Sequence, residues 1–257
     1  MTAFEGPIRR VDGTYRGRPT HHYVDANGAR VPGVTTILDK GLPKPALLPW
    51  GIKTVAEYAV NERERLTGMK PTEMLSELKG APYRERDAAA KRGTEVHALA
   101  ERLVQGLEVE VPPELDRHVA HYVEFLDAFN PQPILVEATV YHSAYGYAGT
   151  LDLVAEVGGE SWLMDVKTNR SGVFAETAYQ LAAYRHAECY VDAHGVSQPM
   201  VQVDRCAVIH VNDAGWSVVP VRADDVVFKK FRHIMVVAAE SESNGSYLGE
   251  ALTAVPA

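Results

Sequence analysis

Apolar residues recur along this chain at two spacings, and the change from one to the other falls near residue 130. From about 35 to 107 they follow a helical period, which predicts helices interrupted at Pro43–Pro49, Gly68–Pro71 and Gly80–Pro82. The stretch ERDAAAKRGTEVHALAERLVQG reads as one helix ending near Gly106. A further helix is expected from Pro113 to Phe129, stopped by Asn130-Pro131. Beyond that point the pattern shortens to strands over 134–142, 150–157 and 161–168. A helix over about 175–192, strands over 203–211 and 216–221 around an Asp-Ala-Gly turn, and a helix over about 224–240 complete the pattern. Near the N-terminus, Asn27-Gly28 between short strand-like runs predicts a hairpin over residues 20–31. Helices followed by a β-meander, a helix and more strands predict an α+β (mixed α/β) fold, with a central antiparallel or mixed sheet flanked by helices.

The hairpin over 150–168 raises a chemical question. If Gly158-Gly159 is a two-residue turn, Val157 faces Glu160, and five residues further out along each arm Asp152 faces Asp165. Lys167 shares the face of Asp165, and the other face carries Leu151, Leu153, Ala155, Trp162, Met164 and Val166. Two ionised carboxylates about 5 Å apart repel by about 3 kcal/mol at an effective dielectric near 20. A divalent cation bound between them would remove that cost, and carboxylate oxygens suit Mg²⁺ or Mn²⁺. An edge hairpin whose aspartates face water is the alternative.

Composition narrows the field. With 257 residues and 46% hydrophobic content, the chain has material for a sizeable core and suits one large domain. The expected division is a hairpin and helical extension over about 1–90, a core over about 91–240 and a tail over 241–257. No apolar run is long enough to span a bilayer. The N-terminus MTAFEGPIRR lacks the apolar stretch of a secretory signal, so a cytoplasmic location is the simplest expectation. Two cysteines, Cys189 and Cys206, cannot form a disulfide framework or a four-cysteine metal cluster. A net charge of -8 disfavours a general nucleic-acid coat protein but leaves room for local basic clusters. One is Arg9, Arg10, Arg16, Arg18, His21, His22 and Arg30; the other is Arg84, Arg86, Lys91 and Arg92. Either is equally readable as a solvated face. His118 and His121 read as helix surface. No G-x-x-x-x-G-K-[ST] loop supports ATP hydrolysis, and no G-x-S-x-G elbow is present.

GTLD at 149–152 followed by DVKT at 165–168 resembles the signature of the PD-(D/E)XK nuclease superfamily. RGTEVH at 92–97 and QLAAY at 180–184 resemble the helical histidine and Q-x-x-x-Y motifs of its RecB-like exonuclease branch, and Glu137 matches a position that is often acidic there. The resemblance covers roughly 92–190 and looks like small stand-alone phage nucleases. It implies a restriction-endonuclease-like core and DNA cleavage, with exonuclease action on DNA ends foremost. A structure-selective or nicking endonuclease and an inactive nucleic-acid-binding protein are the alternatives. It also implies Mg²⁺ or Mn²⁺ as cofactor, no iron–sulfur cluster, no ATP and no membrane, and a recombination or single-strand-binding protein as a further partner.

By the same resemblance, Asp152, Asp165, the backbone carbonyl of Val166, His97 and, most weakly, Glu137 would hold the metal. Lys167 would position or deprotonate a water and offset phosphate charge, helped if a metal-rich pocket lowers its pKa. Gln180 would steady the site and Tyr184 would contact a phosphate or base; a core aromatic is the alternative for Tyr184. Glu101, one helical turn from His97, would orient the imidazole or simply face solvent. Thr168 would bond backbone or substrate, or serve only as a strand residue. The helical cluster of Arg84, Arg86, Lys91 and Arg92 would lead a strand towards the metal.

Overall fold

The structure, a computed structural model, describes residues 6–15, 18–241, 247 and 249–250. Seven strands form the central mixed sheet: β4 (Gln132–His142), β5 (Tyr147–Val157), β6 (Glu160–Lys167), β7 (Cys189–Val191), β8 (Ser197–Pro199), β9 (Arg205–Asn212) and β10 (Gly215–Pro220). Their order is β10-β9-β6-β5-β4-β7-β8, with β6 and β9 parallel and the other pairs antiparallel. A smaller sheet of β1 (Ile8–Tyr15), β2 (Arg18–Asp25) and β3 (Arg30–Val31) lies beside it, the last two joined through the expected Asn27-Gly28 turn. The helices are α1 (Val34–Gly41), α2 (Leu47–Asn61), α3 (Arg63–Thr67), α4 (Pro71–Val104), α5 (Asp116–Phe129), α6 (Glu176–Arg185) and α7 (Asp225–Glu240). This is the α+β architecture the pattern implied, and it is consistent with a restriction-endonuclease-like fold.

Helices cover both faces of the sheet. Val34 and Ile37 of α1, Leu181 and Ala182 of α6 and Phe231 of α7 meet Leu151, Val154 and Leu163 in one core. On the other face Ala100 and Val104 of α4 and Phe125 of α5 pack on Leu153, Ala155, Met164 and Val166. Local chemistry sets several ends. Asn130 takes φ 44° and stops α5 in the left-handed region. Asp224 accepts hydrogen bonds from the Val226 and Val227 amides at the start of α7. Gly158 and Gly159, at φ 60° and 85°, make the tight turn between β5 and β6.

Four expectations need correction. Gly80–Pro82 does not break the helix: α4 runs through it for 34 residues. The turn before Pro82 is supported by the Arg84 guanidinium, which donates to the Glu77 carbonyl at 2.9 Å, while Tyr58, Arg65 and Glu77 tie α4 to α2 and α3. The helix over 175–192 ends at Arg185; Cys189–Val191 instead adds a strand to the exposed edge of β4, followed by β8. His118 is buried at 7% exposure rather than on the surface, and the His121 ring meets the Asn212 carbonyl at 2.7 Å. Leu151 does not share a face with Leu153, for a reason that lies in the site itself. Arg16, most of the expected tail and the side chain of Arg18 fall outside the described residues.

Candidate metal centre

Asp152 sits where β5 changes faces. Before it, Tyr147 and Leu151 enter the α1–α6–α7 core; after it, Val154 does so and Leu153 and Ala155 turn to α4 and α5. The neighbouring strand changes in step. Ala138 and Val140 of β4 join the first core, Leu135 also joins it, and Val136 joins the second. The position between them is Glu137, whose φ is 48°. A non-glycine residue held there costs of order 1–3 kcal/mol, a penalty typical of sites where function fixes the backbone. Strict two-residue alternation fails at this rung, so Leu151 and Leu153 enter opposite cores.

The expected β5–β6 register holds from Val157↔Glu160 to Leu153↔Met164. There the ladder ends. Asp165 continues against Val208 of β9, and the Asp152 carboxylate reaches across to accept the Val166 amide at 2.7 Å. The two aspartates therefore do not form the paired rung that counting predicts, although the Asp152 charge still helps to raise the Asp165 carboxyl.

His97, from the buried half of α4, brings Nδ1 to 3.4 Å from Asp152 Oδ2. With Glu137 they form a set whose ligand atoms all lie within 4.8 Å of one another. Opposite ligands of a small divalent ion lie about 4.2 Å apart, so modest side-chain rotation would close a shell around Mg²⁺ or Mn²⁺. One imidazole and two carboxylates are suitable donors, the nitrogen suiting Mn²⁺ better than Mg²⁺. Asp165 lies outside this set. It is 1% exposed, and its Oδ2 accepts no well-directed hydrogen bond although the Lys167 ammonium is 2.7 Å away. That buried oxygen fits a second cationic partner. The residues present thus fit a divalent ion, with Glu137 more central than the sequence suggested.

Electrostatics point the same way. Burial, then the Asp152 charge, pushes the Glu137 carboxyl up to about 7. Burial also pushes Asp165 up to about 6 against the pull of Lys167. For Lys167, burial disfavours the charge, but Asp165 and Asp152 outweigh it and hold the ammonium above its ordinary value. Lys167 is therefore a fixed cation held by its two carboxylate neighbours.

Gln180 links the parts. Its amide donates to Asp165 Oδ1 at 2.8 Å and its carbonyl faces Lys167 Nζ at 3.4 Å. The same amide is 3.4 Å from the Tyr184 hydroxyl. Tyr184 is only 2% exposed, and its ring lies over Gly149, where an added Cβ would come 2.4 Å from Cε1. That placement favours the packing reading of Tyr184 and explains the glycine of GTLD. Glu101 makes no hydrogen bond to the His97 ring among the described residues; its charge instead raises the Glu137 pKa. Thr168 packs near Gly93 of α4.

His97, Glu137, Asp152, Asp165, Lys167 and Gln180 line a cleft of about 940 Å³, whose other wall is the small N-terminal sheet with Arg10, His21, His22 and Arg30. These residues belong to the N-terminal basic cluster, and no local pattern signals that β1 and β2 dock beside the acidic strands. The second basic cluster is differently placed. Arg84 pairs with Glu77, Arg86 with Asp87 and Lys91 with Glu95, while the α4 residues lining the cleft are Gly93, Thr94 and His97.

No protein-family model matches the chain, and no curated protein does. Among solved structures, LHK-Exo in complex with dAMP is similar with a TM-score of 0.40 and 13% identity, covering 83% of this chain and 88% of that one. An alkaline exonuclease (LHK-Exo) from Laribacter hongkongensis gives a TM-score of 0.35 and 12% identity, covering 58% and 79%. No helix among the described residues is long and apolar enough to cross a membrane.

Proposed function

We propose that this chain is a metal-dependent DNA nuclease that hydrolyses phosphodiester bonds, acting foremost as an exonuclease on DNA ends. The observation that carries the reading is the convergence of His97, Glu137 and Asp152 within 4.8 Å, beside the buried Asp165–Lys167 pair, in one cleft with a basic wall. A divalent ion held there would supply positive charge to the phosphate and acidify an attacking water. The protein's own residues supply the rest. Lys167, held by Asp165 and Gln180, presents a fixed ammonium to the phosphate, and Asp165 keeps that ammonium oriented. The basic wall offsets the charge of the incoming strand.

The sequence resemblance supports the choice of DNA and of a phage-type recombination or replication setting, with a recombination or single-strand-binding protein as partner. The test is a cleavage panel of linear DNA, covalently closed circular plasmid and oligonucleotides with Mg²⁺, Mn²⁺ or EDTA. Metal-dependent loss of linear DNA with circular DNA spared is expected. Nicking of the closed circle would favour the endonuclease reading. Inertness on every substrate, with DNA still retained in a gel shift, would favour a binding protein.

A further inference from the structure

Arg10 lines the cleft beside the candidate metal site. Its guanidinium lies 3.7 Å from Glu137 Oε2 and 3.5 Å from Thr150 Oγ1. The Thr150 hydroxyl meets the Tyr23 hydroxyl at 2.9 Å, and Tyr23 meets the His21 ring at 3.1 Å, so β2, which pairs with the strand carrying Arg10 at Arg10↔Tyr23, docks through a polar chain. Its other ionic partner, Asp12, is 73% exposed and is weakened by solvent. The Arg10 side chain is itself 33% exposed and lines the same cleft as His97 and Asp152.

The Glu137 carboxylate therefore has two competing uses. An ion at His97, Glu137 and Asp152 draws on the same negative charge that holds Arg10. A guanidinium freed from that carboxylate keeps its fork of donors inside the cleft, where a phosphate is its natural partner. We propose that Glu137 sequesters Arg10 in the metal-free protein, and that metal binding releases Arg10 to a backbone phosphate of the nucleic acid. This rests on the metal and the strand sharing one cleft, as in the function proposed above. Metal and strand then strengthen each other's binding, and by linkage the effect is equal in both directions.

The experiment separates this exchange from direct attraction between ion and phosphate. Anisotropy of a short fluorescent single-stranded DNA is measured in EDTA and in Ca²⁺, with intact DNA verified on a gel and each variant's fold checked by thermal melting. Isothermal titration with Mn²⁺ reports metal binding independently. In EDTA, Glu137→Gln removes the competing charge without any ion. It is expected to tighten DNA binding by roughly tenfold or more, the scale of one charge-assisted hydrogen bond. In the Arg10→Met background that gain should vanish, and Arg10→Lys should restore only part of it because the fork is missing. Asp152→Asn is the control, since a general loss of negative charge should act equally with or without Arg10. An equal Glu137→Gln gain in the Arg10→Met background overturns the exchange and leaves the nuclease reading intact. Absence of both Mn²⁺ binding and Ca²⁺-enhanced DNA binding in the wild type overturns the nuclease reading and the exchange together.

Discussion

Glu137 and Asp152 occupy the one rung of the β4–β5 pair at which both strands exchange faces, and there both carboxylates join His97. The register is the same on either side, Val136↔Leu153 and Ala138↔Leu151, so the exchange inserts no residue. It is achieved by the left-handed backbone of Glu137, and its effect is to gather like charges that an ordinary ladder would keep on one regular face.

Glu137→Gln should stabilise the metal-free protein in a pH-dependent way. The Glu137 carboxyl is raised from 4.5 to about 7, mainly by burial, so folding disfavours its anion. Below the unfolded value both states are protonated and the substitution gains nothing. Through the window from 4.5 to 7 the wild type loses stability that the variant keeps, and above it the difference reaches up to about 3 kcal/mol. Urea melts in EDTA at several pH values measure it; a difference that does not grow with pH counts against close opposition.

Metal affinity should rise as pH increases through the same range. Glu137 and Asp165, raised to about 7 and about 6, must lose protons to serve a cation. Titration of Mn²⁺ in two buffers of different ionisation heat should show proton release at about pH 6 and little at about pH 8. Affinity that is flat across this range would place the ion elsewhere.

Lys167→Ala should abolish cleavage, and the structure adds a stability cost that sequence alone did not suggest. Asp165 is fully buried beside it, and breaking a buried pair from one side costs about 3–5 kcal/mol. Removing both charges in Asp165→Asn/Lys167→Met should cost less than the sum of the single substitutions while remaining inactive. Additive melting shifts would show that the two groups do not interact.

Gly149→Ala should destabilise by about 1–3 kcal/mol, because its methyl group enters the Tyr184 ring, whose Cε1 would be 2.4 Å away. Trimming the ring in Gly149→Ala/Tyr184→Leu should recover part of the loss. A melting temperature unchanged by Gly149→Ala would mean the ring is not held there.

Periodicity and turn chemistry made much of this molecule legible. The β5–β6 hairpin follows from Gly158-Gly159, the end of α5 from Asn130, and the β5–β6 register as far as Leu153↔Met164 from counting outwards along two arms. These are local effects, settled by φ angles and alternation within a few residues. What stayed hidden needed distant partners. Strands of three residues such as β7 have no readable period and form because β4 offers an edge. Pro82 reads as a helix breaker, yet α4 passes through it with Arg84 bonded to the turn before it.

The site divides in the same way. Counting along the hairpin nominated Asp152, Asp165 and Lys167, and the resemblance to PD-(D/E)XK nucleases added His97, Gln180 and, most weakly, Glu137. That Glu137 comes within 4.8 Å of His97 and Asp152, and that Arg10 arrives beside it from 127 positions earlier in the chain, was decided only by folding. Strand pairing and sheet docking bring such groups together, and no local preference of either residue encodes the meeting.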